Sequence, residues 1–155
     1  ICWLLSNIAA DSHAQIEMLL FTDGLVEAVC QVLIDGAEKS KREAVWVLAN
    51  VAENGTVRQA GILAAQGAIA PLCAALQLEN ARSVSLALGA LGAMLEKAPA
   101  PTDAVMAGGL RDIRGRNPTA LAIEAVGGIR NLRTCTSRTD LFPNNAEEIL
   151  GTYFA

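Results

Sequence analysis

The stretch KREAVWVLANVAENG, residues 41–55, decides how the chain is read. It fits the body of a long helix over about 39–53, closed by Asn54-Gly55. Trp46 and Asn50 stand four residues apart, so they project from one face of that helix. The same pair recurs as Trp3 and Asn7 in ICWLLSNIAADSH, residues 1–13. The chain has 2 tryptophans, and each precedes an asparagine by one helical turn. The two pairs lie 43 positions apart, which is the mark of an internal repeat.

The repeat extends beyond these pairs. TDGLVEAVCQVL (22–33) aligns with AQGAIAPLCAAL (65–76) at the same offset, matching Gly24 to Gly67, Val26 to Ile69 and Cys30 to Cys73. EAVGGIRNLR (124–133) is a third copy, with Gly127 against Gly67 at an offset of 60. The additional 17 residues fall in KAPAPTDAVMAGGLRDIRGRNP (97–118), which reads as an inserted loop with a short helix at 102–107. Ser12 caps a helix over 13–22 that Gly24 ends, followed by helices over 25–34 and 39–53. The next unit places helices at 56–66, 68–78 and 81–96, and the last at 118–126, 128–136 and 143–154. Three helices in a unit of about 42 residues is the armadillo length class. The expected fold is therefore an all-α armadillo-repeat solenoid, a right-handed superhelix of three-helix repeats. It divides into the end of a truncated repeat (1–10), repeats at 11–54 and 55–97, an insert at 98–117 and a C-terminal capping repeat at 118–155. On this reading the chain is a fragment of a longer protein. The closing NNAEEILGTYFA presents Ile149, Leu150, Tyr153 and Phe154 as the apolar face of a cap.

Composition agrees with helices and narrows the function. Of 155 residues, 52% are hydrophobic but only 4% aromatic, a mix that suits close-packed helices. The net charge of −4 argues against nucleic acid as a partner, because phosphate binding needs a basic face. Cys30 and Cys73 occupy matching apolar positions and read as small hydrophobes rather than disulfide partners. No CxxC or Cys/His cluster suggests a metal, and no cofactor motif of the GxGxxG or GxxxxGK[ST] kind occurs. The uncharged run 60–78 is interrupted by Gln66-Gly67 and Pro71, which makes two buried helices rather than a membrane span. The chain holds 1 histidine, and Asp11-Ser12-His13 in direct succession cannot form a catalytic triad, so an enzyme is not expected. Asn54-Gly55-Thr56 matches a glycosylation acceptor but is read as a helix-ending turn.

The Trp–Asn pairs carry the functional reading. Third helices of consecutive armadillo repeats line a concave surface and pack roughly 8–10 Å apart. Two indoles on that surface form a ladder whose slots suit the stems of lysine or arginine. The asparagine amide offers a donor and an acceptor to a peptide main chain. Glu43, three residues before Trp46, is placed to meet a cationic head. The structural alternative is that the tryptophans are core residues and the asparagines set the register between helices. In SVSLALGALGAML the equivalent positions, counted 42 along from Trp46 and Asn50, are Leu88 and Gly92, so the ladder ends after two rungs.

Taken together, ICWLLSNIAA, KREAVWVLANVAENG and the closing NPTALAIEAVGGIRNLRTCTSRTDLFPNNAEEILGTYF make the chain resemble the importin α family, the armadillo adaptors for nuclear localisation signals. The order resembles the last four repeats of that family, the first of them truncated. The resemblance implies a minor signal-binding site at Trp3, Ser6 and Asn7, continued by Glu43, Trp46 and Asn50. It implies basic localisation-signal peptides as ligands, importin β as a partner through a segment outside this chain, and a last repeat similar to the region that docks an export receptor and nucleoporins. Shuttling between cytoplasm and nucleus follows from the same resemblance. The TCTSRTDLFPNNAEE stretch departs from the family in its lower charge and in Pro143. The competing function is a non-transport armadillo scaffold, an adhesion or ubiquitin-ligase interaction module whose concave face takes an acidic or apolar partner. Exposed tryptophans favour the first function and buried ones the second.

Overall fold

Four side-chain caps and three glycines punctuate the chain into helices. The computed structural model describes residues 1–98 and 116–155, and the short helix expected at 102–107 lies outside the described residues. The described residues hold α1 (Cys2–Ala9), α2 (His13–Phe21), α3 (Leu25–Asp35), α4 (Glu38–Asn54) and α5 (Val57–Ala65). They continue with α6 (Ile69–Ala75), α7 (Ala81–Glu96), α8 (Pro118–Ala125), α9 (Gly128–Thr136) and α10 (Ala146–Tyr153). Ser12, Thr56, Asn80 and Asn117 accept hydrogen bonds from otherwise unpaired amides at the starts of α2, α5, α7 and α8. Each such cap is worth about 1 kcal/mol. Gly24, Gly67 and Gly127, the three glycines matched by the repeat, share one backbone state, with φ of 70°, 91° and 75°. Nothing lies within 4 Å of where a Cβ would stand at any of them, so the left-handed turn and not crowding demands glycine.

Two helices are four residues shorter than the sequence predicts. The helix expected at 68–78 stops at Ala75, because the amides of Leu76, Gln77 and Leu78 turn back to carbonyls only three residues earlier. That tighter winding ends α6. The helix expected at 143–154 begins at Ala146, where Asn144 accepts from the Ala146 amide at 3.2 Å.

The helices form rows. α4 packs between α1 and α7, and α10 continues that row beyond α7. α3, α6 and α9 form a second row, and α2 packs on α5. The core is continuous through the rows and built from Leu, Val, Ile and Ala. α4 buries Ala44, Val45, Val47, Leu48, Ala49, Val51 and Ala52, so both flanks are covered and only a narrow stripe reaches solvent. Small residues on those flanks let neighbouring helices approach closely.

Side-chain bonds to backbone tie each helix to its counterpart along the row. Asn50 donates to the Ser6 carbonyl, Gln59 to His13, Gln66 to Leu20 and Lys97 to Ala52, across separations of 44 to 46 residues. Further along, Asn131 donates to Cys73 and Arg138 to Leu78, across 58 and 60 residues. The longer reach follows the 60-residue offset of the third copy. Lys97 Nζ also donates to the carbonyls of Glu53 and Gly55, placing a cation on the negative end of α4. All four cysteines are free thiols. No helix of the described residues is long and apolar enough to cross a membrane.

Candidate functional site

The exposed stripe of α4 is the start of the site. Lys39, Glu43, Trp46, Asn50 and Glu53 recur at three- and four-residue steps and share one face, and Arg42 joins it four residues before Trp46. α1 lies alongside and presents Trp3, which is 61% exposed; Trp46 is 37% exposed. Both indoles line one open cleft of about 300 Å³, together with Lys39, Arg42, Glu43 and Arg82. The core reading of the tryptophans therefore does not hold for Trp3, and Trp46 is only partly covered.

The asparagines are differently engaged. Asn50 is half-buried, and its Nδ2 donates at 2.9 Å to the Ser6 carbonyl on α1. That bond sets the register between the two helices. Asn7 is exposed, and its Nδ2 donates at 3.1 Å to the Trp3 carbonyl of its own helix. Each amide retains its oxygen and a second N–H for a ligand. Ser6 is 3% exposed, and its hydroxyl donates to the Trp3 carbonyl at 2.7 Å. It lies behind the cleft, supporting the turn that carries Trp3 rather than facing a ligand.

The two sides of Trp46 carry opposite charge. On the α1 side stands Glu43, half-buried and without an ion pair among the described residues. Glu43 lies two helical turns before Asn50, which bonds to Ser6 of α1, so both face α1. On the α7 side, the guanidinium carbon of Arg82 stands over the Trp46 ring, 5.2 Å from its centroid. A cation at that distance is held by the ring's negative face. Arg82 thus occupies the position that a ligand cation would take on this side.

The sequence reading did not single out Lys39, Arg42 or Arg82. For the first two the signal was present, since they precede Trp46 at helical spacing. For Arg82 there was none, because its contact with Trp46 spans two helices.

The third rung needs a correction. Burial along α7 repeats that of α4 at an offset of 43, not 42: Leu88, 0% exposed, corresponds to the equally buried Val45. The counterparts of Trp46 and Asn50 are therefore Gly89 and Ala93. The ladder still ends there, and the missing side chains leave a second cleft of about 490 Å³ between α7 and α10, lined by Gly89, Gly92, Glu96, Glu148 and Tyr153. The Glu53 carboxylate lies so close to Gly89 that a Cβ there would strike it. Among the described residues no group of three or more His, Cys, Asp or Glu side chains is placed to hold a metal.

No protein family model and no curated protein matches the chain. Solved structures do. An engineered protein superposes with a TM-score of 0.70 at 21% identity, covering 95% of this chain and 52% of that one. A designed armadillo repeat protein in complex with the peptide (KR)4 superposes with a TM-score of 0.55 at 22% identity, covering 98% and 73%. A third, computationally designed for modular peptide recognition, gives 0.56 at 21% identity, covering 97% and 73%. The chain spans about half the length of two of the engineered proteins that it matches. These likenesses establish the fold: the chain is an all-α solenoid of the armadillo type.

Proposed function

We propose that the chain binds an extended basic peptide of the nuclear-localisation type, as an adaptor of the importin α kind. The observation that carries this reading is the pair of solvent-exposed indoles, Trp3 and Trp46, flanking one cleft beside the Glu43 carboxylate. A lysine or arginine stem packs between the rings while its head meets Glu43. Asn7 and Asn50 add hydrogen bonds to the peptide main chain. Support also comes from the designed armadillo proteins of similar fold, one of which is in complex with (KR)4. Importin β, an export receptor and nucleoporins are the further partners of this reading, and shuttling between cytoplasm and nucleus is its localisation.

Titration of a Lys/Arg-rich peptide against the chain, followed by tryptophan fluorescence, tests it. Saturable binding is expected, with Trp46→Ala weakening it about tenfold or more, on the order of 1.4 kcal/mol. An unchanged Kd in Trp46→Ala, or no saturation at low salt, refutes the reading. A second reading, a scaffold that takes an acidic partner, is favoured by the three cations that share the cleft with one acid. Tighter binding of a Glu/Asp-rich peptide in the same titration would select it.

A further inference from the structure

The cleft is not the uniformly acidic slot that a purely basic ligand would select. Around Trp46 the charges are sorted. Glu43 shares the face of Asn50, which is bonded to α1, while Arg82 reaches over the indole from α7. Lys39 and Arg42, both exposed, stand in the same cleft, two turns and one turn before Trp46 respectively. None of the three cations has an ion-pair partner in the cleft among the described residues, and the one surface pair nearby, Lys41 with Glu38 at 3.9 Å, lies outside it. A guanidinium over an indole still has N–H groups to offer, and those are what a carboxylate engages.

We infer that the groove reads a mixed-charge ligand: an extended peptide whose seated lysine or arginine, between Trp3 and Trp46, is accompanied two residues away by an aspartate or glutamate that pairs with Arg82. This rests on the peptide-binding reading above and specifies its ligand. The spacing comes from geometry. An extended chain advances about 3.3 Å per residue, so two residues carry it about 6.6 Å along the groove, and the Arg82 guanidinium reaches back from α7 to 5.2 Å from the Trp46 centroid. Residues two apart also point to the same face, whereas neighbours point oppositely. Arg42 reinforces the preference: it lies three helical turns before Glu53, the residue beside Gly89 of α7, and so adds positive charge on that side of Trp46. A second lysine at the acid's position meets the like charges of Arg42 and Arg82 and a slot already filled by Arg82.

Four peptides of equal length decide the matter, each with one lysine anchor and a neutral remainder. Two carry glutamate two residues after or before the lysine; two carry glutamine at the same places. Calorimetric titration of the intact chain should give one glutamate peptide a Kd about fivefold lower than its glutamine twin, the scale of one solvent-accessible ion pair. In Arg82→Ala that ratio should fall to about one, and in Arg82→Lys it should persist in part. Equal Kd values for both twins, or a glutamate advantage that survives in Arg82→Ala, overturns the inference while leaving basic-peptide binding intact. No binding of any of the four, nor of the Lys/Arg-rich peptide, overturns both readings together. Circular dichroism of Arg82→Ala, whose side chain is exposed, verifies that the helices persist.

Discussion

Asn50 and Asn7 look alike in sequence and do different work. Asparagine is a poor residue inside a helix, because its amide competes for backbone groups. Asn50 spends its Nδ2 on the Ser6 carbonyl of another helix, while Asn7 bonds within its own helix at an exposed site. Replacing either by alanine gains similar helix propensity, about 0.5 kcal/mol. The difference between the two variants therefore isolates the bond between helices. Urea unfolding should find Asn50→Ala less stable than Asn7→Ala by about 1 kcal/mol. Equal stabilities would mean that Asn50 does not set register and serves the ligand alone.

At the scale of an element, the Gly127-Gly128 junction before α9 joins two separate demands. Gly127 has φ 75° with open space around it, so Gly127→Ala costs only backbone strain, about 1–2 kcal/mol. Gly128 is helical, where alanine is ordinarily favoured. A Cβ at Gly128, however, would come within 2.6 Å of Ile123 Cγ2 and 2.7 Å of Cys73 Sγ. Overpacking of that kind costs roughly 1–3 kcal/mol. The two causes separate in a double-mutant cycle. Cys73→Ala should recover part of the loss in Gly128→Ala and none of it in Gly127→Ala, as read by the midpoint of denaturant unfolding.

Across the whole molecule, the cysteines report how far the solenoid opens as one body. Burial pushes the Cys73 thiol up to about 12; burial, with Glu27 adding to it, pushes Cys30 up to about 11. Both therefore remain protonated and unreactive at pH 8 while folded. Cys2 is half-exposed near the start of the chain. Iodoacetamide followed by mass spectrometry should label Cys2 first. Cys30, Cys73 and Cys135 should follow at one common rate if the rows of helices open together, and at separate rates if the repeats open one by one. Thiols raised in the folded state favour folding below their unfolded pKa, about 8.5. That contribution is lost as pH climbs from there through 11 and 12, so stability should fall over this alkaline window.

The sequence by itself placed the helices, because their signals are local: the cap at Ser12 and the glycines at 24, 67 and 127, while the caps at Thr56, Asn80 and Asn117 were equally local and were added by the structure. It also determined the solenoid, because a recurrence at 43 and then 60 residues fixes which helices lie in a row. The Trp46–Asn50 pair was legible for the same reason, being set by the pitch of a single helix. The tertiary structure alone decided what each member of that pair faces. That Asn50 bonds to Ser6, that Ser6 is buried and that Arg82 stands over Trp46 all depend on where a second helix packs. Contacts of that kind span some 36 to 44 residues, and no periodicity within one helix encodes them.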